Sequence, residues 1–212
     1  MDIFKTLEAA ADPEKAKGMA AYQKNQFKFL GIQKPERALL TKEFFKQKKR
    51  EPVDWGFVEA CYSRNEREFQ YIAVDYLLMM KDKLEPGDLE RIESLITRKS
   101  WWDTVDMFNV PVGLLFLKHP QITETIRRWM TGDNMWLRRM SIIFQLQLKS
   151  STDTAILAEA IENNLGSKEF FINKAIGWAL RQYSKTDAQW VRAFIGSHEL
   201  SPLSVREASK YI

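Results

Sequence analysis

The 212-residue chain is predicted to be all-α, a right-handed solenoid of paired helices, on three observations. Strand signals are scarce, since no Asn-Gly or Asp-Gly hairpin turn occurs and alternating apolar and polar runs are absent. Helical periodicity continues through the whole chain. Helix openings also recur at a near-constant step: those at Pro35, Phe69, Trp102, Trp136, Phe170 and Leu203 lie 34, 33, 34, 34 and 33 residues apart. A helix pair repeated at constant period buries its apolar faces against neighbouring pairs, which builds a solenoid.

Taken in order, residues 2–11 read as a short helix stopped at Asp12-Pro13. There Asp can cap and Pro can occupy the first turn of the next helix. That helix, about 13–29, carries Met19, Tyr22, Phe27 and Phe29 and ends at Leu30-Gly31. A third opens at Gln33-Lys34-Pro35, runs to the basic stretch Lys46 to Arg50, and is broken by Pro52. Between successive openings the pattern places second helices at about 54–62, 87–98, 120–131, 152–165 and 187–196. The period of about 34 is that of tetratricopeptide repeats. Their Trp, Leu-Gly, Tyr, Ala and Pro signature fits none of these units, and short HEAT-like units fit better. No linker interrupts the series, so residues 1–212 are expected to form a single HEAT-like repeat domain with a concave basic groove.

Hydrophobic content of 45% with 28% charged residues describes a globular chain, not a disordered one. Thirty-two basic residues against 28 acidic permit a polyanionic partner without demanding one. Cys61 is the single cysteine, which excludes an internal disulfide and favours a reducing compartment. With only His119 and His198 beside it, a zinc site of the usual Cys/His spacing cannot be assembled, and neither metal nor cofactor is expected. No apolar run approaches the roughly 20 residues that cross a bilayer. A cytoplasmic location without membrane contact is therefore expected, and the chain is expected to act as a monomer.

The stretch Ser100-Trp101-Trp102-Asp103-Thr104-Val105-Asp106 places two indoles and two acids at a helix opening. Trp102 and Asp106 are four apart, share a helix face, and can present a ring and a carboxylate to one ligand. The structural alternative pairs Asp103 or Asp106 with a Lys or Arg of a neighbouring helix and packs both indoles. The helices expected to line the inner wall also carry Arg138, Arg139, Lys168, Lys174, Trp178, Arg181 and Arg206. Basic residues recurring at related positions make an electrostatic track for a phosphate backbone. The bland reading is solvated helix surface. Trp101, Trp136, Trp129 and Trp190 are expected in the core, and Gly177 could simply make room for a core indole at Trp178.

Several stretches resemble one family. They are Asn25 to Gln33 with Pro35-Glu36-Arg37, Lys99 to Asp106, Asp133 to Arg139, Ile143 to Leu146, Ser167 to Trp178 and Leu200 to Glu207, spread in order over nearly the whole chain. The family is the bacterial AlkD-type DNA glycosylases, DNA alkylation repair enzymes built from HEAT-like repeats. The resemblance implies excision of positively charged 3-methyladenine- and 7-methylguanine-type purines from duplex DNA, without flipping the nucleotide from the stack. It also implies that Trp102 and Trp178 form the cleft indoles, Asp106 the catalytic carboxylate and Arg139 a backbone contact, with Tyr22 and Gln33 against the damaged pair. Arg138, Lys168, Lys174 and Arg206 are the further DNA contacts expected.

The residue chemistry agrees with that role. An N3- or N7-alkylated purine is already cationic and leaves without protonation. The enzyme must stabilise a sugar that becomes oxocarbenium-like, as in glycoside hydrolysis. A carboxylate supplies opposite charge and orients water. An indole face attracts the developing cation, at about 0.5–2 kcal/mol each. Two rivals differ in prediction. A catalytically inactive relative would bind branched or distorted DNA without releasing a base, and a protein-binding scaffold would show little dependence on phosphate.

Overall fold

Acidic and amide side chains start the helices where the apolar periodicity begins. In a computed structural model describing residues 2–212, Asp2, Asp12, Asp54, Asn134, Asp153, Asp187 and Ser201 each accept hydrogen bonds from the first backbone N–H groups of a helix. Such caps satisfy donors that otherwise have no partner, at about 1 kcal/mol apiece. The chain is all-α as predicted. Among the described residues the only strand-like feature is an isolated bridge between Lys28 and Glu66. No helix among them is long and apolar enough to cross a membrane.

Contacts divide the chain into two compact units, Met1–Leu84 and Glu85–Ile212. The first holds α1 (Ile3–Ala9), α2 (Pro13–Tyr22), α3 (Lys34–Lys48), α4 (Trp55–Ser63) and α5 (Arg67–Met80). Phe69, Ile72, Tyr76 and Leu77 make α5 its buried spine. The Phe57 ring lies 5.0 Å from Phe44 and 5.2 Å from Tyr76, edge-on to the latter. Each such buried side chain stabilises the fold by about 1.5–3 kcal/mol.

The helix expected over about 13–29 stops at Tyr22. Lys24 and Asn25 adopt φ of 58° and 56°, and the Asn25 N–H returns to the Ala20 carbonyl at 2.8 Å. The left-handed pair reverses the chain without a glycine. The following segment is then clamped by the first turn of α5. The Arg67 N–H donates to the Lys28 carbonyl at 2.8 Å, and the fully buried Glu68 carboxylate accepts from the N–H groups of Leu30, Gly31 and Ile32 at 2.9–3.1 Å. Gly31, at φ 95°, is required here: a Cβ would lie 2.0 Å from the Asp12 carbonyl oxygen.

The second unit holds α6 (Leu89–Thr97), α7 (Trp102–Val105), α8 (Asn109–Lys118), α9 (Thr123–Thr131), α10 (Met135–Ile143), α11 (Thr154–Glu162), α12 (Phe170–Tyr183), α13 (Ala188–Ser197) and α14 (Pro202–Ala208). Helices α10, α12 and α14 pack side by side, with α9 and α11 against α10 and α13 against α12. The six openings predicted from the repeat fall within two residues of observed helix starts. Trp129 is buried, as expected, and its indole N–H donates to Glu93 at 2.8 Å. Trp190 is half-buried and stacks on Phe194 at 5.1 Å.

Candidate active site

Trp102 opens a helix that lasts a single turn. A continuous α-helix through Pro111 would lack the Pro111 N–H and drive its ring into the carbonyl of Met107. The chain instead tightens into a 3-10 turn over Asp106–Phe108 and restarts at Asn109, leaving Pro111 in the first turn of α8. The Asn109 side-chain amide donates back to the Asp106 carbonyl, bracing the turn. Asp106 therefore sits at a junction between helices, not in the middle of one.

Its carboxylate meets Arg139 of α10. Arg139 Nε donates to Oδ1 and Nη2 to Oδ2, both at 2.7 Å, the parallel two-bond geometry of an ionised carboxylate with a guanidinium. Nη1 of the same guanidinium donates to the Phe171 carbonyl at 2.5 Å. Arg139 is only 4% exposed, so the pair is held with little solvent screening. Burial pushes the Asp106 carboxyl above its ordinary range, and the bonds from Arg139 oppose that rise. The structural alternative foreseen for Asp106, pairing with an arginine from a neighbouring helix, is realised.

An aromatic cluster backs this pair. Trp101 lies 5.9 Å from Trp136 and 5.3 Å from Phe171, and Trp136 lies 5.0 Å from Phe171. These two indoles, expected in the core, are half-buried in that cluster.

The opposite wall comes from α12. Its residues 171, 174, 178 and 181 recur at three- and four-residue intervals and so share a face. Phe171, Lys174, Trp178 and Arg181 line an open cavity of about 320 Å³ together with Trp102, Asp106 and Arg139. Phe170 stands at this cavity, 56% exposed, and Glu207 of α14 completes it. Gly177 makes room for α14 and not for an indole: a Cβ would lie 2.5 Å from the Cβ of Glu207 and 2.9 Å from the Ser204 carbonyl oxygen. Trp178, next in sequence, is thereby turned to the cavity side.

Glu207 is buried, yet it is the most heavily paired acid of the site. Lys174 Nζ reaches Oε1 at 2.8 Å, while Arg181 Nη1 and Lys210 Nζ reach Oε2 at 2.8 and 2.9 Å. Hydrogen bonds from Lys174 and Lys210 pull its carboxyl down to about 2.

Six of the residues singled out from sequence thus share one cavity: Trp102, Asp106, Arg139, Lys174, Trp178 and Arg181. Arg138, next to Arg139, is half-buried, with its Nε buried and lacking a hydrogen-bond partner. Lys168 and Arg206 are exposed near the start of α12 and on α14. Tyr22, 71% exposed, and Gln33, also exposed, belong to the first unit, at the end of α2 and just before α3. Sequence reasoning passed over Glu207, Phe170 and Phe171 as site residues. The available signal for Glu207 was an acid in an otherwise basic row of inner-wall positions.

A family model described as DNA alkylation repair enzyme matches residues 3–212. The structure of a predicted DNA alkylation repair enzyme from Enterococcus faecalis is 39% identical to this chain. It superposes with a TM-score of 0.89 over 95% of this chain and 96% of that one. No curated protein matches.

Proposed function

We propose, from the premise that this chain belongs to the DNA alkylation repair enzyme family, that it is a DNA glycosylase. Family membership gives it a role in DNA repair. Its substrate class would be duplex DNA carrying cationic 3-methyladenine- or 7-methylguanine-type purines, attacked from the backbone side with the nucleotide left in the stack. The observation that supports this reading most is the meeting of Asp106, Trp102 and Trp178 on one cavity.

The chemistry divides among them. As the C1′–N bond breaks, the electron pair leaves with the cationic base, which departs neutral, and positive charge moves to the sugar. Ionised Asp106 stabilises that charge and accepts a proton from the attacking water. Both carboxylate oxygens keep lone pairs beyond those taken by Arg139. The faces of Trp102 and Trp178 stabilise the same cation through their quadrupoles and exclude bulk water. In this reading Arg139 holds the rotamer and the ionised state of Asp106, and a contact to phosphate would draw on its remaining N–H groups. Lys174, Lys168, Arg138 and Arg206 are assigned to the DNA backbone, and Tyr22 and Gln33 to the damaged pair.

The test is incubation with methylated genomic DNA followed by chromatography of the released bases. Release of 3-methyladenine or 7-methylguanine is expected. Salt-sensitive binding without base release would instead identify a non-catalytic DNA-binding relative.

A further inference from the structure

The cavity carries more positive charge than its chemistry needs. A site that stabilises a sugar cation should be net negative, yet Arg139, Lys174 and Arg181 face only Asp106 and Glu207, and Lys210 adds a further cation at Glu207. The cations are also ordered. Lys174 and Arg181 lie seven residues apart on α12, two turns on one face, with Gly177 between them. At Gly177 the helix α14 comes so close that no side chain fits, and this approach lets one carboxylate reach both cations. Arg181 is bound through one nitrogen, and the ammonium of Lys174 through one of its three donors, so further donors remain on partly exposed side chains.

We propose that Glu207 is a positioning residue. It holds Lys174 and Arg181 on the wall that faces Asp106 as a two-pronged clamp for the phosphodiester next to the scissile nucleotide. The two cations take different oxygens of a single carboxylate, as they would take two non-bridging oxygens of one phosphate. A phosphate held there fixes the deoxyribose against Asp106 and the indoles. The excess positive charge is then matched by the substrate's own anion. This inference rests on the glycosylase reading.

The experiment compares single-turnover excision of 7-methylguanine from an ordinary duplex with excision from duplexes in which the phosphate on the 5′ or 3′ side of the lesion is a neutral methylphosphonate. The proteins are the wild type, Glu207→Gln, Lys174→Gln and Arg181→Gln, with binding to undamaged duplex and thermal melting measured alongside. One of the two neutral linkages is expected to slow the wild type by about tenfold, the range of losing one charge-assisted contact. Glu207→Gln should slow excision of the ordinary duplex to a similar extent while binding undamaged DNA as tightly or more tightly, because the variant is more positive. It should lose nothing further on the neutral linkage. Lys174→Gln and Arg181→Gln, at partly exposed positions, report the same coupling should Glu207→Gln fail to melt cooperatively. Equal sensitivity to the neutral linkage in all four proteins, or wild-type excision by Glu207→Gln, overturns the clamp while leaving the glycosylase intact. Absence of base release by the wild type removes the parent reading, and the clamp with it.

Discussion

Asp106 and Glu207 stand on the same cavity and are the same chemical group, yet the protein treats them in opposite ways. Asp106 has one partner, a buried arginine that takes both oxygens, and burial raises its carboxyl above the ordinary range. Glu207 has three cationic partners on partly exposed side chains, and their hydrogen bonds lower it to about 2. A carboxylate kept ionised against desolvation retains its charge for a reacting centre. One saturated with cations has its charge committed to organising its neighbours. In the proposed reading the two shifts go with two roles, Asp106 facing the reacting sugar and Glu207 organising the cationic wall.

Removing the charge on each side tests that contrast. Asp106→Asn should reduce excision of 7-methylguanine by about 10²–10⁴-fold, the range for a general base, with binding to undamaged duplex held within about twofold. Single-turnover chromatography and a binding titration check it, and unchanged excision would remove Asp106 from the mechanism. Arg139→Leu should follow, since it leaves Asp106 buried without its counter-charge. A loss of about 3 kcal/mol in chemical denaturation is expected, together with an excision defect that Arg139→Lys relieves only in part.

Trp178→Leu should cost about three- to thirtyfold in single-turnover rate, the value of one cation–π face, with stability close to that of the wild type. A larger loss confined to melting temperature would make the indole a packing residue.

Two pH measurements sharpen the comparison further. In the proposed mechanism excision requires ionised Asp106, whose carboxyl is raised, so the acid limb of kcat/KM should lie above the ordinary aspartate value of 3.8. Glu207 runs the other way. Its folded value of about 2 lies below the ordinary 4.5, so the stability it contributes is fully present above pH 4.5 and is lost as pH falls toward 2. Glu207→Gln should therefore be less stable than the wild type at pH 7, by about 1–2 kcal/mol because its lysine partners are partly solvated. That gap should narrow below pH 4.5 and close near pH 2, as read from denaturation midpoints. A gap independent of pH would mean that Glu207 acts through packing alone.

How far the sequence could be read depends on the range of each interaction. The helix openings were legible because apolar periodicity, Asp caps and Pro in first turns act within a few residues, as at Asp12-Pro13. The end of α2 was not, because the reversal uses Lys24 and Asn25 in place of the glycine that usually signals it. Within the site, Trp102 and Asp106 are one turn apart, and their common face could be inferred locally. The 3-10 turn that re-aims Asp106 had a signal in Pro111, whose missing N–H prevents a continuous helix. Gly177 had a less direct one: the sequence shows that space is needed there, but not that α14 fills it.

What the sequence determined by itself was the all-helical class, the repeat step and an acid one turn beyond an indole, since each depends on neighbours along the chain. The tertiary structure alone decided which arginine holds Asp106, 33 residues away. It also decided that Glu207 gathers Lys174, Arg181 and Lys210 beside it. Side chains so distant in sequence meet only when whole helices pack. Their partners are selected by the depth and angle of that packing, which no local pattern encodes.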